Sequence, residues 1–312
     1  MRRRGFVAGA AVGVAMAPAL VRAKDLTTLR FVPEADLILL DPVVTPSAQT
    51  REHAWLVYDT LFGLDDAFRP QPQMVEGVAT ENDGRLRKLT LRDGLMFHDG
   101  QRVLARDCAA STRRWAARDS FGQALLAASE EIGFEGDRVI AIRLKRPFPL
   151  LLDALAKPMA FMCPIMPERI ANTDPFKPIT DPIGSGPYRF KADERVPGVS
   201  VAYERFAEYV PRPNGVAEMT AGPKRASLDR IEWKIMPENS TAVSALQRGE
   251  IDWLQTPGPD LLPLLRADKK ITVRTIAPTG LVAYLRFNQL LPPFDNPAIR
   301  RALTGAVTRP TT

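Results

Sequence analysis

Apolar residues along this chain change their period again and again, and this mixing most limits what it can fold into. Ile140, Ile142 and Leu144 alternate with Val139, Ala141 and Arg143, and Ile231, Trp233 and Ile235 alternate with Glu232 and Lys234, which is the period of strands. Trp55, Tyr58 and Phe62 recur instead at helical spacing, so a helix is expected from about Arg51 to Phe62 with Gly63 as its stop. Helices are also expected over Ala105–Arg118 and from Ser240 to Gly249. Further strands fall at Leu29–Val32, Lys88–Leu95 and Glu250–Trp253, and Tyr188–Phe190 pairs with Val199–Tyr203 in a hairpin. Turns are expected at Glu81-Asn-Asp-Gly84, Phe97-His-Asp-Gly100 and Glu135-Gly136-Asp137. Strands and helices interleaved throughout define an α/β class. From Lys157 to Pro187 prolines recur too often for long elements, which suits a crossing between lobes.

The last segment opens a helix. Asn296 can cap it, Pro297 suits its first turn, and Ile299, Leu303 and Val307 fall on one face at four-residue spacing. Such a stripe expects a surface to pack on.

The first 23 residues read as an export signal: Arg2-Arg3-Arg4, an apolar stretch from Phe6 to Leu20, then Val21-Arg22-Ala23 with small side chains where a signal peptidase needs them. The apolar stretch is shorter than the roughly 20 residues of a membrane span. Arg3-Arg4-Gly5-Phe6-Val7 is similar to a twin-arginine core, although Arg2 stands where Ser or Thr is usual; both export routes stay open. The mature chain is expected to begin near Lys24, in the periplasm.

A formal charge of +6 invites a nucleic-acid reading, yet four of the 42 basic residues (Arg2, Arg3, Arg4, Arg22) lie in the signal, leaving 38 bases against 36 acids. That near balance is not a phosphate-binding field, so no nucleic-acid partner is expected. Catalysis has little to stand on: His53 and His98 are the only histidines, neither neighbours a nucleophile motif, and HExxH, CxxC, Walker and GxGxxG patterns are absent. Neither an enzyme nor a metal or cofactor site is expected. Cys108 shares a helix stripe with Thr112 and Trp115, so a buried thiol is the simpler reading, with a bridge to Cys163 as the alternative in an oxidising compartment.

Four blocks carry a family resemblance: Leu91-Arg-Asp-Gly-Leu-Met-Phe-His-Asp-Gly100 with Ala105-Arg-Asp107; Gly184-Ser-Gly-Pro-Tyr188; Ala245-Leu-Gln-Arg-Gly-Glu-Ile-Asp252; and Phe287-Asn288 to Leu303. Ala221-Gly-Pro-Lys224 and Asp229-Arg-Ile-Glu-Trp233 fit the same pattern. In this order the chain resembles family 5 extracellular solute-binding proteins, the peptide- and nickel-binding group of ABC importers. Turn, cap and helix-stop chemistry explains much of the motifs, which makes them markers of the fold more than of a site.

The resemblance implies a class II periplasmic-binding-protein fold with a discontinuous first lobe (residues 24–51 and 181–278), an inserted second lobe (52–180) and the start of a third lobe (279–312), most of which is expected to be missing. It implies a monomer that captures a peptide or other small solute for an ABC permease in the inner membrane, closing by hinge motion. Solute contacts implied by similar positions are Glu34 and Asp36, then Arg118, Asp119 and Phe121, then Trp253. With one wall of the pocket, the chain is expected to bind weakly or not at all; the competing reading is a truncated remnant without transport activity.

Overall fold

The computed structural model describes residues 27–276 and 284–306. The export signal, Lys24 and Val307 lie outside the described residues. The chain divides into two compact units between Lys270 and Ile271.

The first unit opens with β1 (Thr28–Val32), α1 (Ala48–Val57), β2 (Phe62–Leu64), β3 (Pro70–Pro72), β4 (Val75–Glu81) and β5 (Leu86–Leu91). Next come α2 (Ala105–Ala116), α3 (Ser120–Ala128), β6 (Ser129–Glu135), β7 (Val139–Leu144), α4 (Leu151–Ala156) and α5 (Glu168–Ala171). The unit closes with β8 (Tyr188–Phe190), β9 (Ser200–Arg205), β10 (Arg230–Lys234), α6 (Asn239–Gln247), β11 (Trp253–Leu254) and α7 (Leu262–Ala267).

Two larger sheets organise these elements. The five-stranded sheet has the order β11-β1-β10-β9-β8, with β1 parallel to both neighbours and β9 antiparallel to β10. The four-stranded sheet has the order β4-β5-β7-β6, all antiparallel, two hairpins joined so that β6 becomes an edge strand. Each buries its own core. Leu89, Leu91, Ile140 and Ile142 pack against Cys108 and Trp115 of α2, while Phe31, Tyr203, Ile231 and Trp233 pack against Ala54 and Val57 of α1. A smaller cluster beneath α6 joins Val32, Ala242, Ala245 and Ile251.

The expected turns are present. Asn82 and Asp83 take the left-handed conformation between β4 and β5, as an Asn-Asp-Gly hairpin requires, and Gly249 ends α6 at φ +71°. At the start of α2, Asp107 accepts a 2.8 Å hydrogen bond from the Leu104 backbone N–H. Cys108 and Cys163 are free thiols, both buried in the core that α2 covers. Burial raises both above the ordinary thiol range, Cys163 to about 12.

Several boundaries differ from expectation. α1 spans Ala48–Val57 and does not reach Phe62; Tyr58 is extended, and Gly63 lies inside β2, where a Cβ would meet the Thr220 carbonyl oxygen at 2.3 Å. The spacing of Trp55, Tyr58 and Phe62 arises from a helix followed by a strand, because tertiary contacts claim Tyr58 and Phe62 for different parts of the core. β5 ends at Leu91, α2 at Ala116, and the last strand shortens to Trp253–Leu254.

Two of the sequence blocks lock onto each other. The His98 backbone N–H donates to the Gly184 carbonyl at 2.9 Å, His98 Nε2 lies 3.0 Å from the Gly186 carbonyl, and Gly186 N–H donates to Val57 at the end of α1 at 2.8 Å. The chain passes so close there that a Cβ on Gly184 would stand 2.0 Å from the Val57 oxygen. Both motifs therefore act in packing.

The second unit holds α8 (Pro297–Ala306). Asn296 Oδ1 accepts from Ala298 N–H at 2.9 Å, the expected cap, and Phe287 stacks on Phe294 with ring centroids 5.1 Å apart. Ile299 and Leu303 are 36% and 37% exposed, a partly open apolar stripe.

Candidate functional site

Parallel strands bring their carboxyl ends and the following loops to one edge of a sheet, where clefts form. Beyond the carboxyl ends of β1, β10 and β11 lies a cleft of about 220 Å³, lined by Val32, Glu34, Met236, Asn239, Leu254 and Pro259 among others. Trp253 sits on β11 in register with Phe31. Their rings meet edge to face at 5.1 Å, and Trp253 remains 45% exposed, so one side rests on the core and the other meets water.

Glu34 follows β1 and is exposed; its backbone N–H donates to Gln255 Oε1 at 2.8 Å. Gln255 Nε2 in turn donates to Glu52 Oε1 on α1. Burial raises the Glu52 carboxyl above its ordinary range, opposed by the bond from Gln255 and by Arg51 and reinforced by Glu34. Asp36 supports the same loop from behind, its Oδ2 accepting from Gly198 N–H at 2.9 Å. The structure thus brings Glu34, Asp36 and Trp253 to one end of the sheet. Gln255 and Glu52 carry no local sequence signal; they are found only through pairing across 203 positions.

The other expected contacts lie at the α2–α3 corner. Asp119 caps α3 by accepting from Phe121 and Gly122 N–H at 2.9 and 3.1 Å, and its other oxygen pairs with Lys157, leaving a side chain 1% exposed. The Arg118 guanidinium lies over the rings of Phe176 at 4.7 Å and Phe161 at 5.8 Å. Phe121 rests on the core beside Phe148, centroids 6.1 Å apart. A larger depression, about 590 Å³, runs along the edge strand β6, where Arg143 pairs with Glu131 and Glu135.

Both histidines are buried. Burial lowers His53, whose Nδ1 lies 3.1 Å from the Tyr203 hydroxyl, to about 3, and lowers His98 to about 4 against the opposing bond to Gly186. Both are therefore neutral near pH 7. Among the described residues no group of three His, Cys, Asp or Glu side chains could hold a metal ion, and no helix is long and apolar enough to cross a membrane.

The chain thus joins a five-stranded sheet, with a cleft at its parallel carboxyl ends, to a four-stranded antiparallel sheet through a proline-broken crossing, a mixed α/β arrangement of two sheets. The chain belongs to the bacterial extracellular solute-binding proteins, family 5, which match residues 69–311. It is 41% identical over 317 residues to a probable peptide ABC transporter periplasmic-binding protein, y4tO, of Sinorhizobium fredii (strain NBRC 101917 / NGR234), covering 98% of this chain and 58% of that one. Among solved structures it is similar to MoaA from A. tumefaciens R10 in complex with mannopinic acid, with TM-score 0.73, 23% identity, and coverage of 90% of this chain and 55% of that one. It is also similar to DppA from Helicobacter pylori in complex with the peptide STSA, with TM-score 0.72, 22% identity, and coverage of 91% and 58%. The fold is thus α/β and periplasmic-binding-protein-like, and the chain spans a little over half the length of these proteins. The family is one of solute binding, not of catalysis.

Proposed function

We propose that this chain acts, as a monomer, as the solute-binding component of an ABC importer, capturing a peptide or other small solute in the periplasm and presenting it to an inner-membrane permease. The observation that carries the proposal is the cleft at the carboxyl ends of β1, β10 and β11, with Glu34, Asn239 and Thr256 among the apolar residues that line it; the half-exposed Trp253, next to Leu254 on β11, points to the other face of the sheet. Apolar walls with a few polar groups are what a small amphipathic solute requires. In this reading residues 24–51 and 181–278 form the first lobe, 52–180 the second, and 279 opens a third. The separate sheets built from β1 with β8–β11 and from β4–β7 support that division. Residues 1–23 are read as an export signal, and N-terminal sequencing of exported protein should give Lys24 at or near the start.

The test is a titration of the chain with Met-Leu, the peptide Ser-Thr-Ser-Ala and mannopinic acid, followed by NMR. Weak, saturable shifts confined to Glu34, Leu254 and the Trp253 indole are expected. Absence of any shift at millimolar solute, or shifts centred elsewhere, would overturn the proposal.

A further inference from the structure

Gln255 joins three elements at the mouth of the cleft. Its backbone N–H extends the β11–β1 ladder by donating to the Val32 carbonyl at 3.0 Å. Its side-chain carbonyl accepts from Glu34 N–H at 2.8 Å, and its amide nitrogen donates to Glu52 Oε1 on α1. A carboxamide has one accepting end and one donating end, so both partners are satisfied in a single orientation; the flipped group would set its NH₂ against an N–H and its carbonyl against a carboxylate.

We infer that Gln255 is a positioning residue: its carboxamide fixes the Glu34 loop to α1 and so sets the rim of the cleft relative to Trp253. The inference rests on the cleft being the binding site. Burial makes the tie matter. Glu52 Oε2 is buried without a partner, so the bond at Oε1 is the side-chain hydrogen bond that offsets the loss of water around this carboxylate. The charged and titratable groups facing Glu52 are Arg51 from its own helix, Glu34 from the loop after β1 and Tyr203 from β9. The group arriving from the β11 side is the neutral amide of Gln255. A carboxylate in its place would leave two acids face to face with no proton between them.

The experiment needs no ligand for its first part. Amide exchange at Glu34, corrected for intrinsic rates, is measured in the full chain at pH 7 and pH 4.5 for wild type, Gln255→Ala and the near-isosteric Gln255→Glu. Gln255→Ala should speed Glu34 exchange roughly tenfold at both pH values, the loss of one hydrogen bond. Gln255→Glu should exchange fast at pH 7 and return toward wild type at pH 4.5, where a proton shared with Glu52 restores a donor. That pH-dependent rescue would show that a donor to Glu52 holds the tie, and the binding measurement then separates a positioning role from a purely structural one. Wild-type exchange in both variants, or a Gln255→Glu profile without rescue, would overturn the inference. In the second part, Gln255→Ala should weaken Met-Leu binding about tenfold. Unchanged binding at the cleft would refute the positioning role and leave the proposed function standing. Altered exchange with no solute shift at the cleft in any variant would refute the proposed function instead.

Discussion

Arg114 and Asp41 face each other out of reach of water, with Nη2–Oδ2 and Nη1–Oδ1 separations of 2.8 and 3.2 Å and side chains 1% and 0% exposed. The guanidinium also donates to the carbonyls of Thr173 and Lys177, while Asp41 accepts from the Val43 and Ile179 N–H groups, so α2 is tied to two loops at once. Removing one partner strands a buried charge. Arg114→Met or Asp41→Ala should destabilise the chain by about 3–5 kcal/mol. Urea titration checks this, and a loss below about 1 kcal/mol would show that water reaches the pair.

Gly184→Ala should be nearly as damaging, although it adds a single methyl group. The new Cβ would stand 2.0 Å from the Val57 carbonyl oxygen, which is backbone and cannot rotate away. A loss of about 2 kcal/mol or more is expected. His98→Ala tests the same junction from the other side by removing the Nε2 contact to Gly186. A Gly184→Ala melting temperature equal to wild type would mean that the junction relaxes freely.

Acid should destabilise the fold through its histidines. His53 and His98 are held near 3 and 4 by burial, against about 6.5 in the unfolded chain. Because the folded values are depressed, stability is fully present above pH 6.5 and is lost as pH falls toward 4. In that window each histidine contributes a slope of up to about 1.4 kcal/mol per pH unit. Denaturation at pH 7, 6 and 5 should reveal it, and His53→Phe should remove about half.

Trp253→Ala should separate binding from folding. Its indole is 45% exposed, so truncation should leave the melting temperature nearly unchanged while weakening any bound solute by about 1–3 kcal/mol. A large fall in melting temperature with unchanged affinity would assign Trp253 to the core it shares with Phe31.

Local chemistry made much of the fold legible. β7 occupies Val139–Leu144 as its alternation implies, and Gly249 stops α6 by its positive φ. The misreading at Tyr58–Phe62 has a long-range cause: Asp59 between them is buried against Lys224 at 2.7 Å and the Tyr209 hydroxyl at 3.1 Å, partners some 150 residues away that pull the chain off the helix. The site divides in the same way. Glu34 and Trp253 could be named from resemblance, whereas the roles of Gln255 and Glu52 exist only once β11 lies beside β1. For Asp119 the sequence offered only a solute contact implied by resemblance; that it caps α3 and pairs with Lys157 emerges from the fold.

The place of β1 in its sheet also has a consequence for synthesis. It lies between β10 and β11, strands encoded about 200 residues later. At ribosomal rates of 5–20 residues per second, this strand waits some 10–40 s without either neighbour. Phe31 and Val32 have no sheet to join during that interval, so the nascent chain needs either a holding chaperone or a route that keeps it unfolded until release.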